Sequence, residues 1–192
     1  NPLICHVASM DMARILGKFD PVSEKLAKHF WPGPLTLVVP QKEPSPIHPL
    51  VSAGLPTLAL RMPRGAVSEI ITLLGRPLAA PSANSSGKIS ATSAEAVADD
   101  LGAVVPLVLD GGPSLVGLES TIVKVEGGKV WLLRPGGIAA EEIEAVLGER
   151  VFDVECNGVK AIADLDLLRE TGAYRTVVTK TVPVTVSNGR LV

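Results

Sequence analysis

The sequence predicts an α/β fold, and two observations carry the prediction. Short runs of apolar and β-branched residues, such as Leu35-Thr36-Leu37-Val38-Val39 and Thr57-Leu58-Ala59-Leu60, alternate with segments of helical character that open on Ser, Asp or Pro. Islands of polar residues also stand where strand-like runs stop, which is where α/β sheets gather their ligands. A chain of 192 residues, 46% hydrophobic, can bury a substantial core in one domain with a small appendage.

Leu3 to Val7 reads as an opening strand, and Ser9 can cap a helix through about Leu16. Asp20-Pro21 starts a second helix through about His29, with proline at its first position. Phe30-Trp31-Pro32-Gly33-Pro34 is a rigid elbow into a buried strand, Leu35 to Pro40. The proline-rich segment Gln41 to Pro56 reads as loop. Thr57 to Pro63 is a strand whose period of two puts Thr57, Ala59 and Arg61 on one face, so that Thr57 and Arg61 could reach one pocket. Ser68 to about Leu74 reads as helix, Leu78 to Ala80 as a short strand, and Ser93 caps a helix through Leu101. Leu107 to Asp110 is a further strand. Gly117 to Val125 and Lys129 to Arg134 form a hairpin about Glu126-Gly127-Gly128. Ala140 to Leu147 is a helix with acidic residues at its start and Gly148 past its end. The character changes at about Val151. Asp164 to Arg169 reads as a short helix, and Tyr174 to Val192 alternates Val and Thr around the hairpin turn Ser187-Asn188-Gly189.

The stretch Pro77 to Ser90 organises the polar chemistry. A short apolar run opens into Ser82, Asn84, Ser85, Ser86, Gly87 and Ser90, whose small side chains leave backbone N–H groups accessible to an oxyanion. Such clusters also occur in ordinary turns, so the loop gains weight from its company: Asn1 to His6, Thr57 with Arg61, and Ser120 with Arg134.

Composition narrows the function. The net charge is −2, and the 18 basic residues are scattered, which argues against a phosphate-backbone footprint and stable nucleic-acid binding. Aromatics at 3% leave few stacking platforms for bases. No apolar run approaches the length of a membrane-spanning helix. Two cysteines, Cys5 and Cys156, make no disulfide or zinc pattern and are assigned to packing, which points to a reducing cytoplasm. The chain opens without an initiator Met or a secretory pattern, as a chain that starts inside a longer fold would.

Asn-Pro-Leu-Ile-x-His from Asn1, Trp-Pro-Gly-Pro-Leu-Thr from Trp31, Arg-x-Pro from Arg61, Pro-Ser-Ala-Asn-x-Ser-Gly from Pro81, Glu-Ser-Thr-Ile-Val from Glu119 and Arg-Pro-Gly from Arg134 follow one another in this order. Together they closely resemble the YrdC-like family of threonylcarbamoyl-AMP synthases, over Asn1 to about Leu147. The resemblance implies a twisted, open, mixed α/β sheet with flanking helices lining a basic cavity, in a domain spanning 1–150, with 151–192 as an extension of unknown role. It implies an enzyme, a nucleotidyltransferase, that forms threonylcarbamoyl-adenylate and pyrophosphate from L-threonine, bicarbonate or CO2, and ATP with Mg2+. A separate tRNA-modifying machinery then passes the threonylcarbamoyl group to tRNA.

Carried over position by position, Asn1, Thr57, Ser82, Asn84, Ser90 and Arg134 fall at the ATP site, and His6, Arg61, Ala80 and Ser120 at the threonine site. Arg61 and Arg134 would act by positioning and charge stabilisation, with no enzyme-bound intermediate and no protein metal site. The family's Tyr-Gly-Leu-Gly and Lys-x-Arg elements, expected ahead of Asn1, do not occur in this sequence, so the triphosphate side of the pocket is expected to be incomplete. Two alternatives stand beside this reading: a carbamoyl-adenylate-forming domain like that of hydrogenase maturation carbamoyltransferases, and an RNA-binding or ribosome-assembly module of the same fold.

Overall fold

The computed structural model describes residues 2–85 and 87–148 and, as backbone, the strand residues 151–156, 159–166, 186–187 and 190–191. The chain divides into two compact units, Asn1–Ile143 and Glu144–Val192.

The first unit is built on an open six-stranded sheet. Its strands are β1 (Ile4–His6), β2 (Leu35–Pro40), β3 (Thr57–Arg61), β4 (Leu78–Ala80), β5 (Thr121–Glu126) and β6 (Lys129–Arg134), in the spatial order β4-β1-β3-β2-β5-β6. The sheet is mixed: β1 runs parallel to β3, and β2 parallel to β5, while β1–β4, β2–β3 and β5–β6 are antiparallel. Helices α1 (Met10–Leu16), α2 (Pro21–Phe30), α3 (Pro49–Ser52), α4 (Ala66–Leu74) and α5 (Ala94–Leu101) accompany it, and α6 (Ala140–Leu147) begins in the first unit and ends in the second.

Local chemistry sets the helix starts. Ser9 Oγ accepts from the Met12 N–H at 3.1 Å, Asp20 Oδ1 from the Ser23 N–H at 2.7 Å, and Ser93 Oγ from the Ala96 N–H at 3.2 Å. Each cap satisfies a donor that the first helical turn cannot. Leu16 and Leu26 from the helices join Leu35, Leu37, Val39, Leu58, Leu60 and Val123 from the sheet in a fully buried core. β3 alternates as its sequence predicts, with Leu58 and Leu60 buried and Thr57, Ala59 and Arg61 half-buried on the other face.

Four local expectations are corrected. Gln41 to Pro56 is not loop throughout: α3 lies within it, with the His48 ring accepting from the Leu50 N–H at 3.3 Å. Leu107 to Asp110 is not a strand, since no strand among the described residues pairs with it, and Leu107 and Leu109 are exposed. Gly117 to Ser120 lies outside the hairpin, which begins at Thr121. In the second unit, Asp164 to Asp166 ends the strand β8 (Val159–Asp166) rather than opening a helix. It pairs antiparallel with β7 (Val151–Cys156), placing Asp166 against Val151 and Leu165 against Phe152. Cross-strand pairing there overrides local helical spacing.

The antiparallel pair β9 (Val186–Ser187) and β10 (Arg190–Leu191) brackets the predicted turn, whose Asn188 and Gly189 lie outside the described residues, as do 167–185. Among the described residues no helix is long and apolar enough to cross a membrane.

Candidate active site

One end of the sheet gathers the polar side chains. β1 and β3 are parallel and stop there, at His6 and Arg61, which pair in register. β2 and β5 begin at the same end, β4 enters with Leu78 opposite His6, and β6 finishes with Arg134. Thr36 in β2 pairs with Ile122 in β5, and Ile122 with Arg134 in β6, which brings residues distant in sequence into one row.

Arg61 is half-buried. Its Nε donates to the Gly33 carbonyl at 3.2 Å, and its other guanidinium donors make no hydrogen bond among the described residues. Burial pushes its pKa down, as does the charge of Arg134, while Glu119 opposes the shift. Such a half-buried cation with its planar fork uncommitted is suited to an anionic ligand, a carboxylate above all. Arg134 is more committed. Its Nε and Nη2 donate to the Ser120 carbonyl at 3.1 and 2.8 Å, and Nη2 also reaches the Ser120 hydroxyl at 3.0 Å. His6 is held below its ordinary pKa of 6.5 by burial first and by the Arg61 charge second, so the neutral imidazole is favoured. Cys5, buried on the opposite face, has its thiol pushed up to about 11 by desolvation and remains an inert packing group.

The elbow fixes this end of the sheet. The Gly33 N–H donates to the Met62 carbonyl at 2.9 Å, Arg64 Nε donates to the Pro32 carbonyl at 2.7 Å, and the Trp31 indole donates to the Leu35 carbonyl at 2.7 Å. Gly33 must be glycine, because a Cβ there would stand 2.3 Å from the Phe30 carbonyl oxygen. The Pro34 carbonyl accepts from the Thr121 N–H at 2.9 Å, tying the elbow to β5 as well as to β3. Gly136 closes against the same place, where a Cβ would lie 2.3 Å from the Glu119 oxygen and 2.6 Å from the Ser120 carbon. The Thr121 hydroxyl donates to the Ile138 carbonyl at 2.7 Å and accepts from the Ile138 N–H at 2.9 Å. The Trp-Pro-Gly-Pro, Glu-Ser-Thr and Arg-Pro-Gly motifs are thus one joint.

The loop after β4 is also ordered by side chains. Asn84 Nδ2 donates to the Ser85 and Lys88 carbonyls, both at 3.0 Å. Asp100 of α5 accepts from the Ser85 N–H at 2.6 Å and its hydroxyl at 3.0 Å, and pairs with Lys88. The Lys88 ammonium first, and then the Ser85 N–H, hold the Asp100 carboxyl below the usual carboxylate range. Ser90 reaches Asn84 Oδ1 at 3.4 Å and donates to Glu119, whose other oxygen stands 3.4 Å from Arg134 Nη2.

The sequence-predicted residues therefore fall into groups. His6, Arg61, Ser120 and Arg134 come together at one sheet end, with Ser90 and Asn84 linked to them through Glu119. Thr57 starts β3 at its other end, opposite Pro40, and Ala80 pairs with Ile4, two positions along from the His6 pair. Ser82 lines a separate cleft of about 540 Å³ with Thr92, Ser93, Val97, Leu101 and Leu107–Gly112. Asn1 lies outside the described residues. Sequence reasoning assigned no role to Thr36, which is fully buried with its hydroxyl 2.8 Å from that of Ser120, nor to Glu119 itself. For Glu119 a signal existed in its motif. Among the described residues no group of three or more His, Cys, Asp or Glu could hold a metal ion.

The family model described as "Telomere recombination", named for Sua5, YciO and YrdC, matches residues 1–136, and a malectin-domain model matches 138–192. The chain is 48% identical over 151 residues to a threonylcarbamoyl-AMP synthase of Pyrococcus abyssi, covering 78% of this chain and 44% of that one. It is 48% identical over 152 residues to the enzyme of the same name from Bacillus subtilis, covering 77% and 43%. The chain thus spans less than half the length of these relatives. The crystal structure of P. abyssi Sua5 complexed with L-threonine superposes with a TM-score of 0.71 at 48% identity, over 77% of this chain and 44% of that one. Escherichia coli YciO, at 20% identity and a TM-score of 0.62, covers 71% and 66% and shares the fold. An open mixed sheet whose motif residues converge at one end, matched by the family model over most of its length, places this chain in the Sua5/YciO/YrdC family.

Proposed function

We propose that this chain carries out the threonine- and nucleotide-handling chemistry of L-threonylcarbamoyladenylate synthesis. Residues 1–150 form the substrate-binding domain on this reading, and 151–192 an extension. The observation that carries the proposal is Arg61, half-buried with its outer guanidinium donors uncommitted, at the sheet end that also holds Ser120 and Arg134. The names of the relatives at 48% identity, and the L-threonine in one of their structures, supply the chemistry that this arrangement fits.

Arg61 would clamp the threonine carboxylate, while His6, Ser120 and the backbone at Ala80 bond the remaining polar groups. The threonine amine captures CO2 and releases a proton, giving a carbamate. A carbamate oxygen attacks the α-phosphorus of ATP, the bond to the β-phosphate oxygen breaks, and pyrophosphate leaves. Asn84, Ser90 and Arg134 would hold the nucleotide at the sheet end, with Asn1, Thr57 and Ser82 as further contacts on the strength of the family resemblance alone, and catalysis would come from aligning and neutralising two anions. On this reading magnesium would arrive with ATP as the MgATP substrate, where it would neutralise phosphate charge, and no step is assigned to it. The product would pass to a tRNA-modifying transferase in the cytoplasm.

Calorimetric titration with L-threonine, L-serine, L-valine and ATP tests this. Threonine should bind best, because a site that hydrogen-bonds a hydroxyl penalises its loss more than a change of one methyl group. Equal affinity for valine and threonine would overturn the reading.

A further inference from the structure

Glu119 is the acidic side chain at the arginine end of the sheet, and neither composition nor motif reading gave it work. One of its oxygens accepts from Ser90, and the other stands 3.4 Å from Arg134 Nη2. Its charge is also felt at Arg61, where it offsets the repulsion of Arg134. The carboxylate therefore occupies two groups, Ser90 and Arg134, that the proposed function gives to ATP.

We infer that Glu119 is a resident anion that stands in for a nucleotide phosphate between Ser90 and Arg134 and yields that place when the nucleotide binds. The inference rests on the proposed function, since it takes Ser90 and Arg134 as nucleotide contacts.

Three observations support exchange over a permanent brace. The Glu119 and Arg134 side chains are 41% and 37% exposed, so the pair is solvent-screened and cheap to separate. Arg134 does not need Glu119 to stay in place, because three further hydrogen bonds hold it to Ser120. Ser90 has one hydroxyl proton to give, and Asn84 Oδ1 at 3.4 Å is an alternative acceptor for it when Glu119 leaves. A phosphate arriving between Ser90 and Arg134 would find a hydroxyl donor and a guanidinium charge already facing an anion. Glu119 must then rotate away, because two anions cannot share the position. Until that happens its charge offsets the repulsion between Arg134 and Arg61.

The test is calorimetric titration of the full chain with ATP and with pyrophosphate, for the wild type, Glu119→Gln and Arg134→Ala, at low and high salt. Glu119→Gln keeps the shape and removes the charge. It should bind both ligands about two- to fivefold more tightly at low salt, with the gain shrinking at high salt. Weaker or unchanged ATP and pyrophosphate binding in Glu119→Gln, with binding lost in Arg134→Ala, would overturn the inference and leave the proposed function standing. Binding of ATP that ignores Arg134→Ala, or no binding in any variant, would overturn both. If Glu119→Gln fails to fold, Glu119→Ala takes its place. It removes the charge and both contacts, so the same tightening is expected and its absence counts the same way.

Discussion

The hydroxyls of Thr36 and Ser120 meet at 2.8 Å in the protein interior, from residues 84 apart in sequence, and Arg134 Nη2 donates to the Ser120 hydroxyl from the other side at 3.0 Å. The Ser120 oxygen is thus oriented by two neighbours before any ligand arrives. Thr36→Val removes one of them without changing shape. It should cost about 0.5–1.5 kcal/mol of stability, read from the midpoint of urea unfolding. Threonine affinity should fall as well, since the Ser120 hydroxyl is freed to rotate. A variant with unchanged stability and affinity would show that the contact orients nothing.

Arg61 and Ser82 separate the proposed substrates. Arg61→Ala should abolish threonine binding, at a cost of about 2–5 kcal/mol for removing one side of a desolvated charge pair, and spare ATP. Ser82→Ala should weaken ATP by about 0.5–1.5 kcal/mol and leave threonine alone. Titration of each variant with each ligand checks both, and an Arg61→Ala protein that loses only ATP would reverse the assignment.

Gly136→Ala tests the joint. Its new methyl group would meet the Glu119 oxygen at 2.3 Å and the Ser120 carbon at 2.6 Å, both backbone atoms that cannot turn aside. Relief requires moving the chain at Ser120, for a loss of about 1–3 kcal/mol in denaturant unfolding together with weakened threonine binding. Gly111→Ala, where a methyl group meets nothing within 4 Å, is the control and should lose neither.

His6 links stability to pH. Its folded-state pKa lies below 6.5, so the unfolded chain binds the proton more readily. Stability therefore rises with pH from the folded value up to about 6.5, and is lost as pH falls through that window. His6→Gln should flatten that part of the unfolding free-energy profile. An unchanged slope would mean that His6 does not titrate there.

The caps at Ser9, Asp20 and Ser93 and the strands at Leu35 and Thr57 were legible because their causes are local: a side-chain oxygen three residues from its donor, or a period of two. Leu107 to Asp110 was misread for the converse reason, since strand propensity does not say whether a neighbouring strand exists to pair with. Asp164 to Asp166 was misread because its partner, Val151-Phe152, arrives from elsewhere in the chain. Of the candidate site, the motif residues could be named but not grouped. Nothing along the chain reveals that Ser90 and Arg134 share Glu119, that Thr36 sits behind Ser120, or that Ser82 faces a different cleft.

The elbow at Trp31 to Pro34 bonds to chain that follows much later, the Gly33 N–H to Met62 and the Pro34 carbonyl to Thr121. Loop-closure entropy must be met before such contacts return anything, so they belong among the slow, late steps of folding. The arginine end of the sheet therefore closes only when these distant segments come together. A chain still emerging from the ribosome has α1, α2 and β2 before Arg61, Ser120 and Arg134 have been made, so ligand-binding competence reports that these distant segments have met.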